Sequence, residues 1–143
     1  MADFKLWKNR EEGKLDPALF SMEAEKWAKE LAAENNRNKR LNKRTQIRRF
    51  YDEVLRLDTE ARPPADSPEK PDEQDRFETL ILPRLHMLIA KAAYAKGREL
   101  VSDNFVNLIK SGVNQSTEPK DLKVFADFFE AFMGFYRLYG PAN

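Results

Sequence analysis

Apolar residues return at intervals of three and four along most of the chain, and nowhere do they alternate in the manner of a half-buried strand. Asp16 followed by Pro17 reads as an N-cap with proline in the first helical position. Leu19, Phe20, Ala24, Trp27, Ala28, Leu31 and Ala32 then mark a helix from about 17 to 35. Ile47, Phe50, Tyr51, Val54 and Leu55 predict a second helix from about 43 to 58. Phe77, Leu80, Ile81, Leu85, Leu88, Ile89 and Ala92 predict a third, kinked at Pro83, with Gly97 where a C-terminal cap belongs. Phe105, Leu108 and Ile109 predict a shorter fourth, with Ser102 or Asp103 near its start.

The last helix has the strongest pattern. Pro119 opens it and Gly140 closes it. At 100° per residue, Leu122, Phe125, Phe128, Phe129, Phe132, Phe135, Tyr136 and Tyr139 fall within a sector of roughly 120 to 140°, with Lys123, Asp127, Glu130 and Arg137 on the other side. Such a helix belongs at the centre of the packing. The fold expected is all-α: a single domain over residues 1–143, built as a compact bundle of about five helices. Residues 1–16 are expected to be a mobile or partner-docking segment. Residues 59–75 are expected to be a Pro-rich loop, since "TEARPPADSPEKPDEQ" holds four prolines in sixteen residues and no apolar period.

Composition narrows the function classes. The chain has 143 residues, 41% hydrophobic and 34% charged, which suits one domain with a sizeable core. It has no cysteine, which excludes disulfides, thiolate metal sites and cysteine nucleophiles and is compatible with a reducing cytosol. The first residues, "MADFKLWKNREEGK", are broken by charge too often for a signal peptide, and no stretch approaches the roughly 20 apolar residues of a membrane span. A soluble, unprocessed, cytoplasmic protein is expected.

The chemistry of catalysis is sparse. His86 is the single histidine, three residues before Ile89 within a helix, where histidine is usually an ordinary surface or half-buried side chain. Most carboxylates have Lys or Arg three or four residues away, as on solvated helix faces. There is no glycine-rich phosphate loop, metal-ligand spacing or nucleophile elbow. No catalytic residue, metal or cofactor is expected, and the chain does not read as an enzyme.

Charge carries more information. The net charge is +1, yet the run "NRNKRLNKRTQIRRFYDE" holds seven Lys or Arg from Arg37 to Arg49 and no acid in that interval, so the rest of the chain is negative. A solvated face is the ordinary reading of such a run. Here, however, the cations lie at the start of a predicted helix, where the positive end of its dipole opposes each by about 0.3 to 1 kcal/mol. Arg44 and Arg48 also repel at i,i+4. A phosphate backbone would reverse both penalties. Relative to Ile47, Arg48 and Arg49 project at about 100° and 200°, so one helix can pack and bind. Asp52 and Glu53 are spaced to hold Arg48 and Arg49 instead. An acidic protein partner or anionic membrane surface remains an alternative for the patch, with the aromatic last helix as an assembly surface.

Four segments, "NKRTQIRRFYDEV" (42–54), "LPRLHMLIAKAAYAKGRE" (82–99), "FVNLI" (105–109) and "FADFFEAFMGFYRLYG" (125–140), resemble in that order the small subunit of type III-A CRISPR effector complexes, the Csm small-subunit family. The resemblance implies a non-catalytic helical protein of antiviral defence in the prokaryotic cytoplasm. It implies several copies stacking along the interior of a ribonucleoprotein, against backbone and large subunits, with no membrane partner. It implies contacts with the backbones of guide RNA and target RNA, sequence being read by base pairing. Carried over by position, it assigns these contacts to Arg48, flanked by Lys43, Arg44 and Arg49, with Arg98 and Lys91 as a second basic spot. Arg98 also suits the negative end of its own helix. Arg37, Lys39 and Arg40 lie outside the matched motif. Tyr94 and the last-helix aromatics are read as packing, although an exposed tyrosine could stack on a base or ribose.

Overall fold

In the computed structural model, residues 3–62 and 72–143 are described. They form α1 (Met22–Arg37), α2 (Arg44–Ala61), the short α3 (Glu73–Arg76), α4 (Leu82–Gly97), α5 (Asp103–Gln115) and α6 (Pro119–Tyr139). A 3₁₀ turn, Pro17–Phe20, precedes α1, and a π-helical stretch, Phe77–Ile81, joins α3 to α4. Among the described residues there is no strand, only an isolated bridge between Asn9 and Lys14. The all-α expectation holds.

The sequence pattern of α6 translates directly into its position. Leu122, Phe125, Phe128, Phe129, Phe132 and Tyr136 are buried, and so are Val124 and Ala126 at the margins of the predicted sector. α6 packs against α1, α2 and α5, while α4 lies against α5 and α2. Tyr139 departs from the expectation: it is exposed at the bundle edge, where its hydroxyl donates to Glu25. Its neighbour Gly140 ends the helix as expected. Close approach of α5 to α6 depends on Gly112, because a Cβ there would run into the Phe125 ring.

Several boundaries differ from the sequence reading for local reasons. Asp16 does cap, accepting from the Ala18 N–H, but it caps the 3₁₀ turn. The chain breaks at Ser21 before α1 begins. α2 continues to Ala61 and α3 starts at Glu73, so both ends of the expected 59–75 loop are helical; residues 63–71 lie outside the described residues. The irregularity near Pro83 is a π turn just upstream: Leu82 N–H bonds to the Phe77 carbonyl, widening the helix where the proline ring would crowd the preceding turn. Gly97 is the last helical residue, not the cap. The left-handed position falls on Glu99 (φ 60°), with Leu100 N–H bonded to Ala95 O and Glu99 N–H to Lys96 O, the Schellman arrangement. Ser102 caps α5 by accepting from Phe105 N–H.

The N-terminal segment is not a free tail along its described length. Phe4 and Leu6 are buried, and Phe4 stacks on Phe128 with ring centroids 4.2 Å apart. Arg10 and Trp7 bond to Asp121 at the start of α6. Two buried apolar residues and the ion pairs of Arg10 with Asp121 and Glu118 hold this segment against the bundle.

Candidate nucleic-acid interface

The α1–α2 connection, which carries Lys39, Arg40 and Lys43, is held by asparagines. Asn35 is buried and donates to Leu41 O at 2.8 Å, while Asn38 accepts from Arg40 N–H. Asn42 is the central knot. It is fully buried in a left-handed conformation (φ 58°), which asparagine tolerates better than most residues. Its side chain donates to Leu31 O and Ser102 Oγ and accepts from Ser102 N–H. Its N–H reaches Leu100 O, and its carbonyl accepts from Tyr136 Oη at 2.6 Å. Five hydrogen bonds to four residues thus fix the residue before the N-cap of α2, and the cations on either side inherit that position.

Burial pushes the Tyr136 phenol well above its ordinary range. The Glu34 carboxylate adds to that shift, and the nearby Arg44 opposes it. Glu34 itself is raised, chiefly by burial, against hydrogen bonds from Ser102 and Asn104. Both shifts have the same physical source: the knot is partly desolvated, with Arg44 at its edge.

The six residues expected to bind are distributed over four places. Arg49 from α2, Lys91 from α4 and Arg98 after it line one cleft of about 580 Å³ with Gln46, Phe50 and Tyr94. Lys43 lies with Lys39 and Asn36 around a separate depression of about 460 Å³, closed by residues 140–143. Arg48 is exposed on the other side of α2, where it meets Asp52 at 3.9 Å. Arg44 is half-buried, with its Nε shielded and lacking an acceptor among the described residues. The 100° step between Arg48 and Arg49 therefore sends adjacent arginines to different surfaces.

Two sequence expectations change here. Tyr94, read as packing, is 68% exposed, with the Arg98 guanidinium carbon 5.8 Å from its ring centroid. The N-terminus of α2 is also met by the chain itself: Asn143 O accepts from Thr45 N–H at 3.4 Å and Thr45 Oγ1 at 3.2 Å. Lys43 occupies the N-cap without a side-chain capping bond, and the first turn holds no acid. Positive side chains dominate this end of the helix.

Pairing separates the run from much of the rest of the surface. Among the described residues, the Arg48–Asp52 contact is the sole ion pair that includes a member of the 37–49 run. Glu53, spaced to hold Arg49, bonds instead to Arg56. No ion pair among the described residues engages Lys91 or Arg98. His86 is exposed on α4, and no group of three or more potential metal ligands occurs among the described residues. Nor is any described helix long and apolar enough to cross a membrane.

The family model for Csm2 Type III-A matches residues 14–142. The chain belongs to that family. The match includes residues 14–41, where the resemblance in the sequence was slight, as well as all four segments that carried it. No curated protein and no solved structure matches the chain. Csm2 membership makes this chain a small subunit of the type III-A CRISPR complex, a structural component alongside the other Csm subunits.

Proposed function

We propose that this Csm2-family subunit holds guide and target RNA in the effector interior through sequence-independent contacts with the phosphate backbone. Lys43, Arg44, Arg48 and Arg49 make the principal contacts, and Lys91 and Arg98 extend them. The observation that carries the reading is the pairing census: seven cations lie within thirteen residues, and a single long contact to Asp52 is their sole ion pair among the described residues. A cation that is already paired gains little from a phosphate, whereas an unpaired one releases the nucleic acid's counterions when it binds.

The distribution of the cations suits an extended polyanion. Arg48 and Arg49 serve different sides of α2, so successive phosphates along a strand are met by successive faces of one helix. Backbone contacts position the strand and carry no sequence information, leaving recognition to base pairing in the effector. The subunit works in the prokaryotic cytoplasm, in several copies beside the guide-holding and large subunits. Each copy reaches few phosphates, so affinity comes from stacked copies and neighbours acting together. Replacing Lys43, Arg44, Arg48 and Arg49 by Ala in a reconstituted effector tests this: affinity for every target should fall alike, with the salt dependence made shallower by about 3 to 4. A loss confined to one target sequence would contradict the reading.

A further inference from the structure

The cleft between α2 and α4 has features that backbone contacts alone do not need. Its base is apolar, with Phe50 and Leu88 buried beneath it. Tyr94 stands largely exposed in its wall, with Arg98 beside the ring. Arg49 and Lys91 add positive charge at the same opening. Gln46 supplies an amide with no side-chain hydrogen bond among the described residues, and Glu53 supplies a carboxylate already held by Arg56. A phosphodiester would use the cations and ignore the rest.

A nucleobase with its phosphate would use all of it. Stacking on an aromatic side chain or guanidinium plane is the usual means of holding a base that has left its stack, and the amide and carboxylate match the donors and acceptors on a base edge. The volume, about 580 Å³, lies within the range of small-ligand sites. A paired base inside a duplex has neither face nor edge free for such contacts. An acidic peptide would meet the cations, but its carboxylates would leave the exposed face of Tyr94 without a stacking partner.

We propose that the α2–α4 cleft is a pocket for one unstacked nucleotide, its base on Tyr94 and its phosphate among Arg49, Lys91 and Arg98. This rests on the backbone-binding reading and adds a contact to the base that such binding lacks. The stacking preference is for an aromatic ring in general, so the pocket accepts any base.

The test is an NMR titration of the ¹⁵N-labelled full chain with adenosine 5′-monophosphate and, separately, with ribose 5-phosphate, which carries the same phosphate and no base. The nucleotide should shift Gln46, Tyr94 and Arg98 and bind at least about fivefold more tightly than ribose 5-phosphate, the lower limit expected of one stacked base. Tyr94→Phe should keep that advantage and Tyr94→Ala should abolish it; an exposed side chain can be truncated without loss of the fold. Equal binding of the two ligands, absence of shifts in the cleft, or an advantage that survives Tyr94→Ala overturns the pocket. Larger shifts with a glutamate-rich peptide than with the nucleotide overturn it in favour of an acidic protein partner. The two readings fail separately. An unchanged salt slope in the Lys43, Arg44, Arg48, Arg49 variant removes the backbone reading, whereas a changed slope with no base advantage removes only the pocket.

Discussion

Arg10 and the Arg49, Lys91, Arg98 group put guanidinium and ammonium charge on the same small bundle with opposite consequences. Arg10 is absorbed by the fold: it donates to both oxygens of Asp121, and to Glu118 and Thr117. Asp121 is fully buried and also accepts from Trp7 Nε1 and from the N–H groups of Thr117 and Glu118. One carboxylate thus ties the N-terminal segment to the capping box of α6. Among the described residues the cleft cations form no ion pair. Sequence charge density is a poor guide to this distinction. What differs is whether the fold supplies a desolvated acid within reach.

Asp121→Ala should break the structural side of the comparison most severely. It removes the reciprocal cap and leaves several donors without their acceptor, at a cost of about 3 kcal/mol in urea unfolding. The same site sets a pH dependence. Burial pushes the Asp121 carboxyl up, but the bonds from Arg10, Trp7, Glu118 N–H and Thr117 outweigh it and hold the group below its ordinary value. The unfolded chain then takes up its proton first, so the stabilisation is present above about pH 4 and is lost as pH falls through the lower folded value. Asp121→Asn should remove that component of acid sensitivity.

Asn42→Ala should come next, with a loss of about 2 to 3 kcal/mol, because it strips the side-chain bonds to Leu31 and Ser102 and leaves alanine in a left-handed conformation. Chemical shifts of Lys43 and Arg44 should move with it, since Asn42 fixes their entry into α2. Glu99→Gly should act in the other direction. It relieves the positive φ at the α4 cap and should raise stability by up to about 1 kcal/mol. The smallest change in stability is expected for Arg49, Lys91 and Arg98 replaced together by Ala: within about 0.5 kcal/mol of the parent in thermal unfolding, despite weaker RNA binding by the effector. A destabilisation like that of Asp121→Ala would place these cations in the same structural class as Arg10.

The helices were legible because burial around α6 obeys the helical period, as its aromatic sector shows, and because Ser102 and Pro119 are strong local punctuation. The same period misled at Leu80, and Tyr94 was read as packing although it is not among the apolar positions that marked that helix. Leu80, Met87 and Tyr94 recur every seven residues along the π turn and α4, yet all three are exposed, at 56, 54 and 68%. Spacing identifies an apolar face without saying whether anything covers it. The packing of the N-terminal segment was not legible because its anchors, Phe128 and Asp121, lie more than a hundred residues away in the chain. Asn42 was passed over for a similar reason: Ser102 and Tyr136, its distant partners, give an asparagine in a basic run its purpose. The interleaving of Asn with Lys and Arg in "NNRNKRLNKR" was the available signal. Asparagines at 35, 38 and 42 bond to the main chain, and the cations between them are left for other uses.

The basic cluster itself was visible as charge, but its division into a cleft, a depression near residues 140–143 and an exposed flank depends on the crossing of α2 with α4 and the approach of the C-terminal residues. The central claim concerns what the unpaired cations do there. Its most direct test is the affinity of a guide-loaded effector for target RNA across a range of salt, with this subunit or with Lys43, Arg44, Arg48 and Arg49 changed to Ala. The account predicts intact assembly, weaker binding to every target and a salt slope shallower by about 3 to 4. Unchanged affinity and slope in an assembled complex would contradict it and leave the cluster to assembly or solvation.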